Sequence, residues 1–440
     1  MESVIVVLMF PALFFLIFLG IPIAFSLILV SVAAGWFSFG PVIFQQLYGS
    51  IYSASTNYIL SSIPLFVLMG AILEKSGIAK NLFEAIQLWI GRLPGGLAIT
   101  TILMAAVFAA ASGVVGAVEI MIGLMAIPAM QKYKYNNSLI TGTICAGGSL
   151  GTIIPPTVIV VVYAALAQIS IGALFAAIII PGGIMVGLFV MYILVRCILR
   201  PSDGPAVSAD SLPTIPLKKK ITITLKSLLP PLLLMFAVLG SLLGGIASPT
   251  EAAAVGVAGA SILAISNRGM TFSSLGESLK MTVRITAMIL LIVAGGTMFT
   301  GIFAVNGGGE LVEGIADALG GGSTSVIIFF LVVTFLLGFV LDWTSIVLIC
   351  VPIFTPVIRS LGIDPIWFAT LVLVTIQTSY LTPPMASSIF YLKSIAPDDI
   401  TYGQMCKGVV PFIMAQLVTL AIVATFPSVA TWLPSQIVGF

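Results

Sequence analysis

At 440 residues, 60% hydrophobic and only 7% charged, with a mean hydropathy of +1.23, the chain is excluded from the soluble globular class, where about 25% of residues carry charge. It has no histidine, which removes His-based triads, His metal sites and His proton relays. The net charge of +2 says little by itself; the placement of the seventeen Lys and Arg residues says more.

Many apolar runs of roughly 17–25 residues are long enough to span a bilayer, so the pattern predicts an all-α polytopic membrane protein. The longest stretch of soluble composition runs only from Arg196 to Lys226. Any soluble capture domain or ATP-hydrolysing part is therefore expected on another chain. The N-terminus, MESVIVVLMF, lacks a basic region and a small-residue cleavage site and reads as a retained helix. Cys145, Cys197, Cys350 and Cys406 lie in apolar sequence without paired spacing and read as small core residues.

In chain order, Val4 to Leu19 and Ile23 to Phe39 are apolar runs separated by Gly20 and Pro22. Gly40 to Asn57 is uncharged and rich in Tyr and Gln, as in a helix lying along the membrane surface. Ile59 to Leu73 spans again, and Glu74 to Arg92 reads as a loop carrying Lys75, Lys80 and Arg92. Gly95 to Met130 is apolar but interrupted at Ser112-Gly113 and Gly116, which suits two half-depth helices entering and leaving on one side. A helix broken at Pro155-Pro156 follows, then the span Ile171 to Leu199 and a polar linker. The second half opens with the apolar runs Leu228 to Gly245 and Ala252 to Ile265. The charged stretch Arg268 to Arg284 precedes the span Ile285 to Val305 and a glycine-rich loop, Asn306 to Gly322. Val326 to Val357 is a second hairpin, interrupted at Asp342. A helix broken at Pro383-Pro384 and a last span, Val409 to Ala424, complete the chain.

Proline removes a backbone donor and clashes with the carbonyl one turn back, so both double prolines should break their helices. In a bilayer that is tolerated only where the freed groups line a cavity or bind something. Two such breaks at matching places mark the central site of a secondary transporter. The halves match in spacing: Pro128 to Pro155 and Pro356 to Pro383 are each 27 residues, and each double proline precedes a tyrosine, Tyr163 or Tyr391, by eight. A constant offset of 228 relates them. Excess Lys and Arg mark cytoplasmic loops. With the N-terminus outside and each hairpin returning to its own side, sixteen of the seventeen fall on the cytoplasmic side and only Arg359 falls outside. This predicts an inverted repeat with two re-entrant hairpins and both termini periplasmic.

Helix ends inside a membrane present unpaired C=O to cations and unpaired N–H to anions, and each hairpin tip is expected to meet its own broken helix. A first Na⁺ site is expected from the carbonyls of Ser112, Val114, Gly151, Ile154 and Pro156. The offset gives its twin: Val340, Asp342, Ser379, Thr382 and Pro384. Gly113, Glu119, Thr152, Thr344 and Ser345 are candidate substrate contacts; the three hydroxyls suit either ion or substrate. Acidic residues at membrane depth are functional by default. Asp342 is expected to serve Na⁺ or substrate, with a helix N-cap as the rival. Ser248-Pro249-Thr250-Glu251 is a capping box, so Glu251 reads as a helix start before an ion ligand. Glu119 is open between carrying a proton, touching substrate and pairing with a neighbouring helix.

The segments GTICAGGSLGTIIPPTVIVVVYA, ISIGALFAAIIIPG, ASPTEAAAVGV and YLTPPMASSIFYLKSIAP resemble the large membrane subunit (DctM-like) of tripartite ATP-independent periplasmic (TRAP) transporters over essentially the whole chain. The resemblance implies a sodium-coupled importer of organic acids, working by an elevator motion in a bacterial inner membrane. It implies two partners besides the lipid bilayer, a small four-helix membrane subunit and a periplasmic substrate-binding protein, and no nucleic acid. It also divides the chain. Residues 1–92 and 227–322 become scaffold helices with interfacial arms, 93–199 and 323–440 the two transport repeats, and 200–226 a cytoplasmic linker. Motif matches carry the site assignment over at Ser112, Gly151, Pro156, Asp342 and Pro384. Glu119 departs from the small or apolar residues expected in that hairpin, which puts ion or substrate stoichiometry in question. The segment QTSYLTPP to FYLKSIAP resembles the branch handling 2-oxo acids and related monocarboxylates. Rivals are a single-chain sodium/dicarboxylate carrier, a pure assembly scaffold, and an integral membrane enzyme, the last opposed by the lack of histidine and of any catalytic Asp/Glu/Cys cluster.

Overall fold

The computed structural model describes residues 2–112, 115–206, 215–311, 314, 322–384 and 386–437, and all regular structure among them is helical. The first group of helices is α1 (Glu2–Phe18), α2 (Ile23–Phe39), α3 (Ile43–Thr56), α4 (Ser62–Lys75) and α5 (Ile78–Ile90). Next come α6 (Gly96–Ser112), α7 (Val115–Lys132), α8 (Asn137–Ser149), α9 (Val158–Ala167) and α10 (Ile171–Leu199). The second half holds α11 (Leu217–Leu243), α12 (Pro249–Ser266), α13 (Phe272–Phe303), α14 (Ser323–Leu337), α15 (Trp343–Ser360), α16 (Pro365–Leu381), α17 (Ser387–Lys393), α18 (Tyr402–Thr425) and α19 (Ser428–Ile437). Among the described residues seven helices are long and apolar enough to cross a membrane. Large apolar side chains such as Phe37, Phe236, Ile246 and Ile262 face outward, as they should when the solvent is hydrocarbon.

Side-chain caps set several helix starts. The Asn136 side chain accepts from the N–H groups of Ser138 and Leu139, and Asp364 does the same for Ile366 and Trp367 ahead of Pro365. Ser248 and Glu251 form the expected capping box of α12; Thr271 with Ser274, and Thr401 with Gln404, form two more. Each cap satisfies donors that a helix start leaves bare.

Three expectations needed correction. The stretch read as a loop, 74–92, contains α5, bent 65° from α4. Its apolar residues Ile78, Leu82, Phe83 and Ile86 fall on one face and are buried, so the scattered charges mark the outer side of an amphipathic helix. The linker ends early, because α11 begins at Leu217 and takes in Lys218, Lys219, Lys220 and Lys226. The charged stretch 268–284 and the span after it are one helix, α13, of 32 residues. A short final helix, α19, follows the last span.

The offset of 228 holds for helix boundaries: α7 shifted by it coincides with α15 from end to end, and the start of α8 falls on the start of α16. The legs of the two helix–break–helix units are 15 to 18 residues long. At about 1.5 Å per residue each reaches beyond half the hydrocarbon thickness unless it is tilted.

Helices α2, α4, α12 and α13 pack together, and so do α8, α16 and α18. In the second group α8 and α18 meet backbone to backbone. A Cβ on Gly142 would overlap the Gly408 carbonyl, and one on Gly408 would overlap the Ser138 carbonyl. Small residues at such a crossing let dispersion contacts replace the missing hydrophobic drive between lipid-immersed helices.

Polar contacts collect the cationic loops at one end. Lys75 pairs with Glu277 at 3.1 Å and Arg196 with Asp203 at 2.9 Å. The Gly95 N–H donates to the Gly204 carbonyl, the Asn136 N–H to the Asp203 carbonyl, and Gln131 to the Asp399 carboxylate. Arg359 is elsewhere. It donates to the carbonyls of Ala167 and Gln168, beside the start of α10. Arg196 lies near the far end of that 29-residue helix, which spans about 43 Å at 1.5 Å per residue.

Candidate functional site

Both double prolines interrupt their helices. After α8 comes a single 3-10 turn, Leu150–Thr152, then Pro155-Pro156, then α9. After α16 the chain passes Pro383-Pro384 before α17. Both Pro–Pro peptide bonds are cis. An uninterrupted helix would satisfy the carbonyls of Gly151, Thr152, Ser379 and Tyr380 from residues 155, 156, 383 and 384. Those residues are proline and have no N–H to give. Four carbonyls are thereby released at the two breaks.

At the second break the geometry is compact. The α14–α15 break approaches α16 so closely that a Cβ on Gly338 would lie 2.7 Å from Ser379 Oγ. Leu341, Asp342, Trp343, Ser379, Tyr380 and Ser387 line a cavity of about 30 Å³, room for one or two water-sized species. Asp342 is the N-cap of α15. Its carboxylate accepts from the Thr344 N–H at 3.2 Å and from the Ser345 hydroxyl. The rival reading, a cap, is thus present, and it occupies Ser345. Val340 adjoins Leu341 at this break, and the Thr344 side chain is buried. The Thr382 carbonyl accepts from the Ala386 N–H, and Pro384 is exposed.

At the first break Gly151, Thr152 and Pro156 are buried and Ile154 is half-buried. Helix α6, which ends at Ser112, packs against the turn Leu150–Thr152. Gly113 and Val114 lie outside the described residues. The Thr152 hydroxyl donates to Gln377 Oε1 at 2.9 Å, joining the two broken helices. Gln416 of α18 donates to Ser149 Oγ at 3.3 Å.

Each hairpin packs against its own broken helix, and the second legs reach further. Helix α15 lies along α9, and α7 lies along α17, so each leg also runs against the other repeat's second half-helix. Gly116 faces the Tyr391 ring, a Cβ there falling 2.7 Å from Tyr391 Cζ. Glu119, one turn on, is fully buried. It lies against Gly148 of α8 and beside Ser388 of α17.

The two breaks differ in access. Tyr163 is 1% exposed and its counterpart Tyr391 is 42% exposed. Pro156 is buried and Pro384 open.

Sequence reasoning missed Gln377, Tyr380, Ser387, Ser388 and Gln416. The two glutamines had a signal: amides inside apolar helices are expensive and point to partners within the bundle. The hydroxyls had none, because isolated Ser and Tyr residues are ordinary in membrane helices.

Similarity to known proteins agrees in extent with this architecture. A family model described as "Tripartite ATP-independent periplasmic transporter, DctM component" matches residues 10–429. The C4-dicarboxylate TRAP transporter large permease protein DctM of Pseudomonas aeruginosa is 32% identical, over 90% of this chain and 91% of that one. The sialic acid TRAP transporter large permease protein SiaM of Vibrio cholerae is 30% identical, over 97% of each. The ectoine TRAP transporter large permease protein TeaC of Halomonas elongata is 29% identical, over 95% and 96%. Among solved structures, the YdaH transporter of Alcanivorax borkumensis superposes with a TM-score of 0.61 at 15% identity, covering 88% of each chain. That last likeness bears on the fold alone.

Proposed function

The chain belongs to the DctM component family of tripartite ATP-independent periplasmic transporters, and from that membership we propose a sodium-coupled importer of organic acids that receives its cargo from a periplasmic binding protein. In this reading a small four-helix membrane subunit completes the assembly in the bacterial inner membrane. The two helix–break–helix units and the two broken helices form the moving part, an inverted repeat with re-entrant, tilted hairpins. The helices of 1–92 and 227–322 form the scaffold against which it slides, elevator fashion.

One observation carries the reading: prolines free helix carbonyls at two offset-related breaks, inside a bundle almost without charge. Bare carbonyls suit a desolvated monovalent cation. The cavity at Asp342 and Ser379 is of ionic size, and Asp342 keeps oxygen lone pairs beyond those its cap uses. Val340, Thr382 and Pro384 complete that Na⁺ site; Ser112, Val114, Gly151, Ile154 and Pro156 form the other. The buried Thr157 hydroxyl, without a hydrogen-bond partner among the described residues, stands at the N-terminus of α9, where bare N–H groups favour a carboxylate. The cationic end is cytoplasmic and α17 leads to it, so the exposed second break opens inward. Two Na⁺ ions, each gaining roughly 2.3 kcal/mol per 100 mV, outweigh the electrical cost of importing a monoanion.

The test is co-reconstitution with both partners in proteoliposomes and uptake of labelled 2-oxo acids, C4-dicarboxylates, sialic acid and ectoine. Uptake of one acid is expected under an inward Na⁺ gradient and not when K⁺ replaces it. Equal uptake in K⁺ would remove sodium coupling. Uptake by this chain without the binding protein would point to a stand-alone carrier.

A further inference from the structure

Glu119 is left over by the sodium and carboxylate chemistry above. Its side chain is completely buried, and neither carboxyl oxygen has a hydrogen-bond partner among the described residues. No cationic side chain among them comes within ion-pair range. Three elements enclose it. Helix α8 contributes Gly148, whose missing Cβ leaves the space that the Glu119 side chain fills, and Cys145. Helix α17 contributes Ser388, whose hydroxyl lies beside the carboxyl outside hydrogen-bonding geometry and is itself unpartnered. Tyr391 of α17 and Tyr380 of α16 lie near it, and Asp342 is near the same two tyrosines. Among the described residues, every titratable group around Glu119 is thus an acid, a phenol or a thiol, and none carries positive charge.

An ionised carboxylate in that setting would bear the full cost of a buried, uncompensated charge. A neutral carboxyl bears much less and can bond Ser388 after a small rotation. The wall formed by α17 belongs to the second repeat, whose break is the exposed one, so separating α7 from α17 would bring water to the carboxyl. We propose that Glu119 is a proton-binding site built into the contact between the two repeats. It keeps its proton while α17 covers it and releases the proton when that contact opens. The reading does not depend on sodium coupling or on the identity of the cargo.

Infrared difference spectroscopy of the full chain in lipid nanodiscs tests it. A protonated-carboxyl C=O band is expected at neutral pH. It should be missing in Glu119→Gln, displaced in Ser388→Ala, and lost reversibly as the pH is raised with the protein still folded. If Glu119→Gln does not fold, the Ser388→Ala displacement makes the assignment. Three outcomes would overturn the proposal. One is the absence of any band at neutral pH sensitive to these substitutions. Another is a band that persists until the protein unfolds, which would make the group structural. The third is a carboxylate band that moves when choline replaces sodium, which would make it a cation site.

Discussion

Asp342 stands at the break of the second hairpin and Glu119 at the contact between the repeats, and these acids sit in opposite circumstances. Asp342 is exposed and accepts two hydrogen bonds from its own helix; Glu119 is buried and accepts none. Capping and ion binding at position 342 can be separated by substitution. Losing an N-cap costs about 0.5–2 kcal/mol, and Ser caps about as well as Asp. Asp342→Ala should therefore lower thermal stability slightly and abolish sodium-dependent uptake, whereas Asp342→Ser should restore the melting temperature but not the uptake. Recovery of transport by Ser would reduce Asp342 to a cap. Gly148 is a second residue-scale case. A methyl there overlaps the Glu119 side chain, and overpacking costs typically 1–3 kcal/mol. Gly148→Ala should destabilise by about that much, and Glu119→Ala should relieve part of it, a coupling that a double-mutant cycle measured by thermal unfolding would reveal. Simple additivity would mean that the two do not touch.

At the scale of elements, the helix boundaries marked by proline or a capping box were legible, and contacts between elements were not. Proline, glycine and capping boxes act within four residues of themselves, which is why the breaks at Pro155 and Pro383 and the start of α12 could be placed from sequence. Helix α5 was missed because a mixed apolar and charged stretch reads as a loop until one face is known to be covered. The crossing of α15 onto α9 was invisible, since no local rule says which half-helix a leg lies along. Arg359 fastens that crossing by donating to the carbonyls at the C-terminus of α9, where a cation is favoured by the helix dipole. Arg359→Met should cost roughly 1 kcal/mol, read as a lower melting temperature in detergent, with Arg359→Lys in between. An unchanged melt would show that the tie contributes nothing in solution.

For the whole molecule the clearest prediction concerns sidedness. Three of the four native cysteines are buried and Cys406 is half-buried, so background labelling by an impermeant maleimide should be low. With the cationic end cytoplasmic, Lys219→Cys should be labelled only from inside and Ile246→Cys, at the other end of α11, only from outside. The reverse pattern would invert the topology and with it the inward assignment of the exposed break. Among the candidate site residues chosen from sequence, Asp342 and Ser379 line one cavity of the second repeat, and Thr152 bonds across to Gln377 where the two repeats meet. Gln377 and Gln416 bond across the same interface unpredicted, because a lone amide does not announce its partner.

The sequence alone determined the solvent, most of the apolar helices, the two breaks and their repetition. Hydropathy, proline and spacing act locally or along the chain and need no folded context. Only the tertiary structure decided that second legs also reach the other repeat, that one break is covered and the other open, and that Glu119 is sealed without a counter-charge. Those facts depend on which surfaces exclude lipid and water together, and burial is a property of several segments at once.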